Sequence, residues 1–197
     1  MIVPNSNYVF CIRQEREEED VGGIIIPGTE ESKFAELSYL GIVTARGEGR
    51  TNKRGRRVPV RLSINDKIVL PRWGTTEFKH EGTTYTAVRD ENILGVGDFE
   101  DYENVQAYSD FLYLRKCTNY DEVDGQSMVG GIIIPQVADD CHYAELISIG
   151  HKCTKFFPEM LRMFVELPEN APSLQTVDPE CEYWFIRESE VAGSICM

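Results

Sequence analysis

Val21-Gly22-Gly23-Ile24-Ile25-Ile26-Pro27 returns letter for letter as Val129-Gly130-Gly131-Ile132-Ile133-Ile134-Pro135. Seven identical residues in a chain of 197 are improbable by chance, so the repeat points to a tandem duplication. The setting of the first copy is polar. Gln14-Glu15-Arg16-Glu17-Glu18-Glu19-Asp20 precedes it and Gly28-Thr29-Glu30-Glu31-Ser32-Lys33 follows it. A core strand is normally bounded by tight turns and further strands. A short aliphatic run inside a polar loop reads instead as a segment held out for another protein. Gly22 and Gly23 leave the loop free, while Pro27 presets φ and removes a donor from any strand ladder. A buried strand is the competing reading of so short an apolar run.

Outward from the first heptapeptide the chain is a series of short strands. Tyr8 to Arg13 is rich in aromatic and β-branched residues, and Ala35 to Ala45 is a second strand region with an expected bulge or bend at Gly41. Gly47 to Pro59 has three glycines and no apolar residue before Val58, the composition of a hairpin tip. Asp66 to Pro71 follows as a buried-type strand. Thr75 to Phe78 and Thr83 to Val88 flank the turn His80-Glu81-Gly82. A short turn or helical piece at Arg89 to Val96 closes the unit. No long amphipathic helix interrupts this pattern, which predicts a small all-β barrel.

The acidic stretch from 98 to 107 reads as a linker, and the second half then replays the first. Phe111-Leu112-Tyr113-Leu114-Arg115 answers Phe10-Cys11-Ile12-Arg13. Ala144-Glu145-Leu146 through Gly150 answers Ala35-Glu36-Leu37 through Gly41. Leu167-Pro168 answers Leu70-Pro71, and Tyr183 to Glu188 answers Tyr85 to Asp90. On this alignment about a dozen residues are missing from the second half, where the first has its hairpin.

Bulk properties narrow the function. The apolar fraction, 42%, is ordinary for a globular protein, and a net charge of -13 disfavours nucleic-acid binding by the whole chain. Yet Arg50, Lys53, Arg54, Arg56, Arg57 and Arg61 put six of the 20 basic residues into twelve positions. No apolar run is long enough to span a membrane, and the first residues resemble neither a secretory signal nor a transit peptide, so a cytoplasmic location is expected. The six cysteines form no CxxC pair, as suits reduced thiols. Cys141-His142 and His151-x-Cys153 flank an alternating stretch. If that stretch is a strand, the pairs lie roughly 30 Å apart, too far for one zinc. No metal and no cofactor is expected.

Residues 1–97 resemble the chaperonin-10 (GroES-type) co-chaperonin family in the order of their features. These are the N-terminal strand, the polar loop with Gly22-Gly23-Ile24-Ile25-Ile26-Pro27 and the strand near Gly41. The hairpin opened by Gly47-x-Gly49, the Asn65-Asp66-Lys67-Ile68-Val69 entry and the Tyr85…Arg89-Asp90-Glu91-Asn92-Ile93-Leu94 finish complete the series. The resemblance implies two tandem GroES-like β-barrels, 1–97 and 108–197, each with a long mobile loop, joined by the linker 98–107. The second lacks the roof hairpin.

It further implies a co-chaperonin that builds a homo-oligomeric ring, caps a chaperonin-60 (GroEL-type) ring and assists unfolded client proteins. ATP would be used by the partner alone. The docking residues it implies are Gly22, Gly23, Ile24, Ile25, Ile26 and Pro27, with Gly130, Gly131, Ile132, Ile133, Ile134 and Pro135. Arg50, Lys53, Arg54, Arg56 and Arg57 would lie on the roof, where such a basic surface departs from the family. Seven, the order of the partner ring, is odd, so two-repeat chains do not match it one repeat per site.

Two rivals are weaker. An enzyme is disfavoured because no GxGxxG follows a strand and His80, His142 and His151 show no nucleophile pattern. A nucleic-acid- or client-binding barrel using 50–61 is the alternative, but no aromatic residue interleaves those charges to stack on bases.

Overall fold

The structure, a computed structural model, describes residues 2–14, 38–71, 73–97, 102–116, 121–123, 126–129, 132–134, 142–167, 175–178, 183–191 and 193–195. The first heptapeptide, 21–27, lies outside them, as do Gly130, Gly131 and Pro135. The described chain is built of strands, with four three-residue 3-10 turns as its helical content.

In the first half these are β1 (Tyr8–Gln14), β2 (Tyr39–Arg46), β3 (Arg50–Thr51), β4 (Arg57–Val58), β5 (Lys67–Leu70), β6 (Thr75–His80), β7 (Thr83–Arg89) and β8 (Gly95–Val96). Then come β9 (Gln106–Ala107), β10 (Phe111–Lys116), β11 (Asp121–Val123), β12 (Gln126–Val129), β13 (Ile132–Ile134) and β14 (His142–Ile149). Last are β15 (Phe164–Leu167), β16 (Gln175–Asp178), β17 (Tyr183–Arg187) and β18 (Gly193–Ile195).

Two antiparallel sheets dominate, in the orders β6-β7-β1-β2-β5-β8-β9 and β16-β17-β10-β14-β15-β18. They are the curled, all-β architecture that the strand pattern predicts. The β6–β7 hairpin pairs His80 with Thr83 and turns through Glu81 and Gly82, both at positive φ (51° and 82°). Such two-residue turns match the twist of the strands they join.

The halves agree in detail. A bulge recurs at the same place in both: Phe10 faces Ala45 while Cys11 faces Val43, and Tyr113 faces Ser148 while Leu114 faces Leu146. Ser6 (φ 53°) and Ser109 (φ 56°) precede equivalent strands, and Asn65 (φ 72°) and Arg162 (φ 73°) precede equivalent entries. Asn65 N donates to Val43 O and Arg162 N to Leu146 O, both at 2.8 Å.

This register corrects the letter-based alignment. Gly47 N donates to Tyr8 O at 2.9 Å and Gly150 N to Phe111 O at 2.8 Å. A Cβ at Gly47 would stand 2.1 Å from Ser6 O, and one at Gly150 2.5 Å from Ser109 O. Gly150 is therefore the counterpart of Gly47, six positions beyond Gly41. Asn65 lies eighteen positions after Gly47 and Arg162 twelve after Gly150, so at the hairpin the second half is shorter by six residues, not a dozen. Nor does Gly41 break β2, which runs through it. A Cβ there would meet Leu70 Cδ1 at 2.9 Å, so the glycine admits a close neighbour, and the bulge falls at Thr44.

Each sheet curls over its own core. Val9, Cys11, Val43, Val60, Leu62, Ile68, Leu70, Val88 and Ile93 fill the first; Leu112, Leu114, Ala144, Leu146, Phe156, Val165, Leu167 and Ile186 fill the second. A third cluster joins the halves. Leu40, Val69 and Leu94 from the first pack with Phe111, Tyr113, Tyr183 and Phe185 from the second, and Val105 and Ala107 lie between. β10 and β17 bury both faces, alternate residues serving different clusters. The stretch read as a linker, 98–107, ends in β9, which pairs with β8 as Gly95↔Ala107 and Val96↔Gln106. Tyr108 then enters the first core and accepts a hydrogen bond from Arg61 N at 3.1 Å.

Candidate functional site

Three features are candidates for function: the heptapeptides, the basic hairpin and the junction of the halves. Of the heptapeptides, only the second has described residues. Its Val129 ends β12, and Ile132 to Ile134 form β13, in a three-stranded sheet of order β11-β12-β13. Val129 of β12 pairs with Ile132 of β13. The β-branched Ile132-Ile133-Ile134 suits an extended backbone. The sequence predicts a loop here; Val129 and Ile132 to Ile134 of the second copy stand in paired strands, and the remaining positions of the motif lie outside the described residues.

The basic hairpin is β3–β4, paired as Arg50↔Val58 and Thr51↔Arg57. Asn52 organises its tip. Asn52 Oδ1 accepts from Arg54 N at 3.0 Å and Arg56 N at 2.9 Å, Asn52 N donates to Arg56 O at 2.8 Å, and Gly55 N donates to Asn52 O at 2.9 Å. Gly55 (φ 74°) and Gly49 (φ 97°) take conformations that other residues adopt only under strain. At the base, Arg50 pairs with Glu91 at 2.8 Å and Arg57 pairs with Glu48. Lys53, Arg54 and Arg56 are exposed and make no ion pair among the described residues.

In the second half, residues 150–163 occupy the hairpin's place and contain no strand. Buried Glu188 fastens this loop, accepting from Thr154 N at 2.7 Å and from Lys155 N and Phe156 N. Its counterpart in the first half, buried Asp90, faces the junction instead. Asp90 accepts from Asn7 Nδ2 at 2.9 Å and from Lys152 Nζ, of the second half, at 3.4 Å. Arg187 holds Asp110 with two bonds of 2.6 and 2.7 Å and lies 4.5 Å over the Phe111 ring, reaching Glu91 O across the junction. None of these contacts was legible in the sequence, because each joins residues more than thirty apart. The doubly apolar runs at 111–114 and 183–186 were the available signal.

A cleft of about 550 Å³ opens beside the junction, lined by Val105, Ile147, His151, Cys153, Phe157 and Leu161 among others. Burial pushes the Cys153 thiol up to about 12, with the Glu188 charge adding to it, so a nucleophilic thiolate is scarce near neutrality. Burial, then the Arg61 and Lys152 charges, lowers the His151 pKa, and its ring packs edge-on against Tyr108 at 4.7 Å. Among the described residues no group of three or more His, Cys, Asp or Glu could hold a metal ion. Cys141 lies outside them, and His142 and His151 stand at opposite ends of the β14 segment. No helix among the described residues is long and apolar enough to cross a membrane.

Comparison with known proteins accounts for the first half. The family model described as chaperonin 10 Kd subunit matches residues 1–97. The co-chaperonin GroES of Desulforapulum autotrophicum is 38% identical over 93 residues, which are 47% of this chain and 94% of that protein. GroES of an Exiguobacterium species is 33% identical over 96 residues, 49% of this chain and 98% of that protein. GroES of Rickettsia canadensis is 35% identical over 82 residues, 42% of this chain and 82% of that protein. Proteins of this kind are not enzymes. By these sequence matches the chain belongs to the chaperonin 10 Kd subunit family, that of the GroES co-chaperonins.

Proposed function

We propose that the chain is a tandem co-chaperonin, with units 1–97 and 108–197 joined through 98–107. Each unit offers its Gly-Gly-Ile-Ile-Ile-Pro segment to a GroEL-type chaperonin-60 ring, and the assembly assists folding of unfolded clients in the cytoplasm. The observation that carries the tandem reading is the shared register. Bulge, left-handed residues and closing glycine recur at equivalent places around an identical heptapeptide.

Docking energetics favour many weak contacts. Burying one isoleucine is worth ~1.5–3 kcal/mol. Ordering a loop costs about 1–2 kcal/mol per residue and cancels much of the gain from three. One segment alone binds weakly, and several on one assembly bind tightly because later contacts are intramolecular. The chain itself uses no ATP and no cofactor in this reading.

The junction supports a homo-oligomeric ring. Within one chain, β9 pairs with the edge strand β8, and Phe111, Tyr113 and Phe185 cover the first half. The counterpart face of the first half carries Tyr8 and Ile12, 36% and 39% exposed, with Phe10 edge-on to Phe78 at 4.9 Å and Phe78 stacked on Tyr85 at 5.6 Å between ring centroids. Val3, ahead of it, is 72% exposed, and β18 is the edge of the second sheet. A second copy placed as the halves are placed would cover that face and extend that edge, a head-to-tail contact able to close into a ring.

The test is chaperonin binding in the presence of nucleotide by Ile25→Asp, Ile133→Asp and the double variant. Each single variant should weaken binding and the double far more, with melting temperatures unchanged. Full capping by Ile133→Asp would remove the second unit from docking. Negative-stain images of the purified chain would report the ring directly.

A further inference from the structure

The basic hairpin is not used in the docking proposed for the heptapeptides. Six cations and no carboxylate occupy 50–61 in a chain of net charge -13. Arg50 and Arg57 are neutralised at the base by Glu91 and Glu48. Lys53, Arg54 and Arg56 are left at a tip whose backbone Asn52 fixes. Clustering on four positions three cations that make no ion pair among the described residues favours an anion beside them.

The tip limits which anion fits. The amides of Asn52, Arg54, Gly55 and Arg56 are all engaged within the turn, so no backbone nest remains for a phosphate. Only side-chain ends are on offer, spread over a convex surface, which suits a partner bringing several separate charges. Nucleic acid is the poorer match. No aromatic residue lies among 50–61, and a duplex or strand would bring many phosphates against an otherwise acidic protein. A peptide segment brings a few carboxylates within the Debye length of ~8 Å and little charge beyond it.

We propose that the β3–β4 tip is a docking site for a carboxylate-rich polypeptide segment of another protein, held by Lys53, Arg54 and Arg56. Each guanidinium can grip a carboxylate with two parallel bonds, and Lys53 adds a point charge. The site stands whether or not the chain caps a chaperonin.

The experiment titrates the full chain with fluorescein-labelled hexaglutamate and, separately, with labelled hexathymidylate, at about 50 and about 150 mM salt. Hexaglutamate should bind the parent and weaken with salt. Lys53→Gln, Arg54→Gln and Arg56→Gln should each lower affinity about two- to threefold, and the triple variant ~10-fold or more. Circular dichroism and melting temperature verify the fold; if the triple variant fails to fold, the three single variants decide. The proposal is overturned if hexaglutamate does not bind at the lower salt, if the neutralised variants bind it as the parent does, or if hexathymidylate binds more tightly than hexaglutamate.

Discussion

Phe185→Ala tests whether the two halves are one body. Phe185 is fully buried, packs on the Tyr113 ring at 4.6 Å and lies against the backbone of the other half. A Cβ built on Gly95 would come within 2.7 Å of its Cζ. Truncation removes the transfer free energy of the ring and leaves a cavity between two sheets. The backbone pairing of β8 with β9 resists collapse of that cavity. Buried phenylalanines of this kind cost about 3–5 kcal/mol on truncation. At ~2–4 °C per kcal/mol for a chain of this size, the melting temperature should fall by roughly 6–20 °C.

Amide exchange at Gly95 to Ala107 should accelerate in the variant, because the shared core holds that pairing closed. The control is Phe78→Ala, on the equivalent face left open within one chain; it should cost about 1 kcal/mol or less in the monomer. A loss below ~1 kcal/mol for Phe185→Ala, with the junction amides still protected, would mean that the halves are stable without their shared core.

Gly150→Ala should destabilise by roughly 1–3 kcal/mol in urea titrations, because its Cβ would meet three backbone oxygens, those of Ser109, Tyr108 and Phe111, at 2.5 to 2.8 Å. A neutral effect would contradict the register assigned to β14. Glu145, against Arg162 at 2.9 Å and Arg115 at 2.6 Å, is raised by burial but held below the usual carboxylate range by the two guanidiniums. Its stabilisation is therefore complete above its unfolded pKa and lost as pH falls through the lower folded value. Parent and Glu145→Gln should differ in stability near neutral pH and converge under acid conditions; a difference that grows on acidification would reverse the assignment. Burial pushes the Cys11 and Cys153 thiols up to about 12. Peptide mapping should find both largely unalkylated in the native protein near neutral pH and labelled in urea, and rapid native labelling of Cys11 would refute its burial.

The sequence by itself determined whatever depends on neighbours along the chain. The alternation from Tyr8 to Arg13, the Glu81-Gly82 turn and the glycine-rich hairpin at 47–59 specify short strands and tight turns through local sterics. The exact return of Val21 to Pro27 at Val129 to Pro135 required no structure to be seen. Tertiary structure alone decided how the halves correspond and how they meet. The Ala-Glu-Leu letters of Ala144 to Leu146 match those of Ala35 to Leu37, yet the backbone aligns Gly150 with Gly47. A glycine forced by close approach to Ser109 O outweighs a resemblance among apolar letters. The acidic composition before Val105 reads as a spacer, and only the pairing of β9 with β8 shows where it ends. Phe111, Tyr113 and Phe185 look like ordinary strand residues until the sheet's second face is seen to be covered. Asp90 and Lys152 are 62 residues apart, and burial beside a cation from the other half is fixed by packing, which has no period in the sequence.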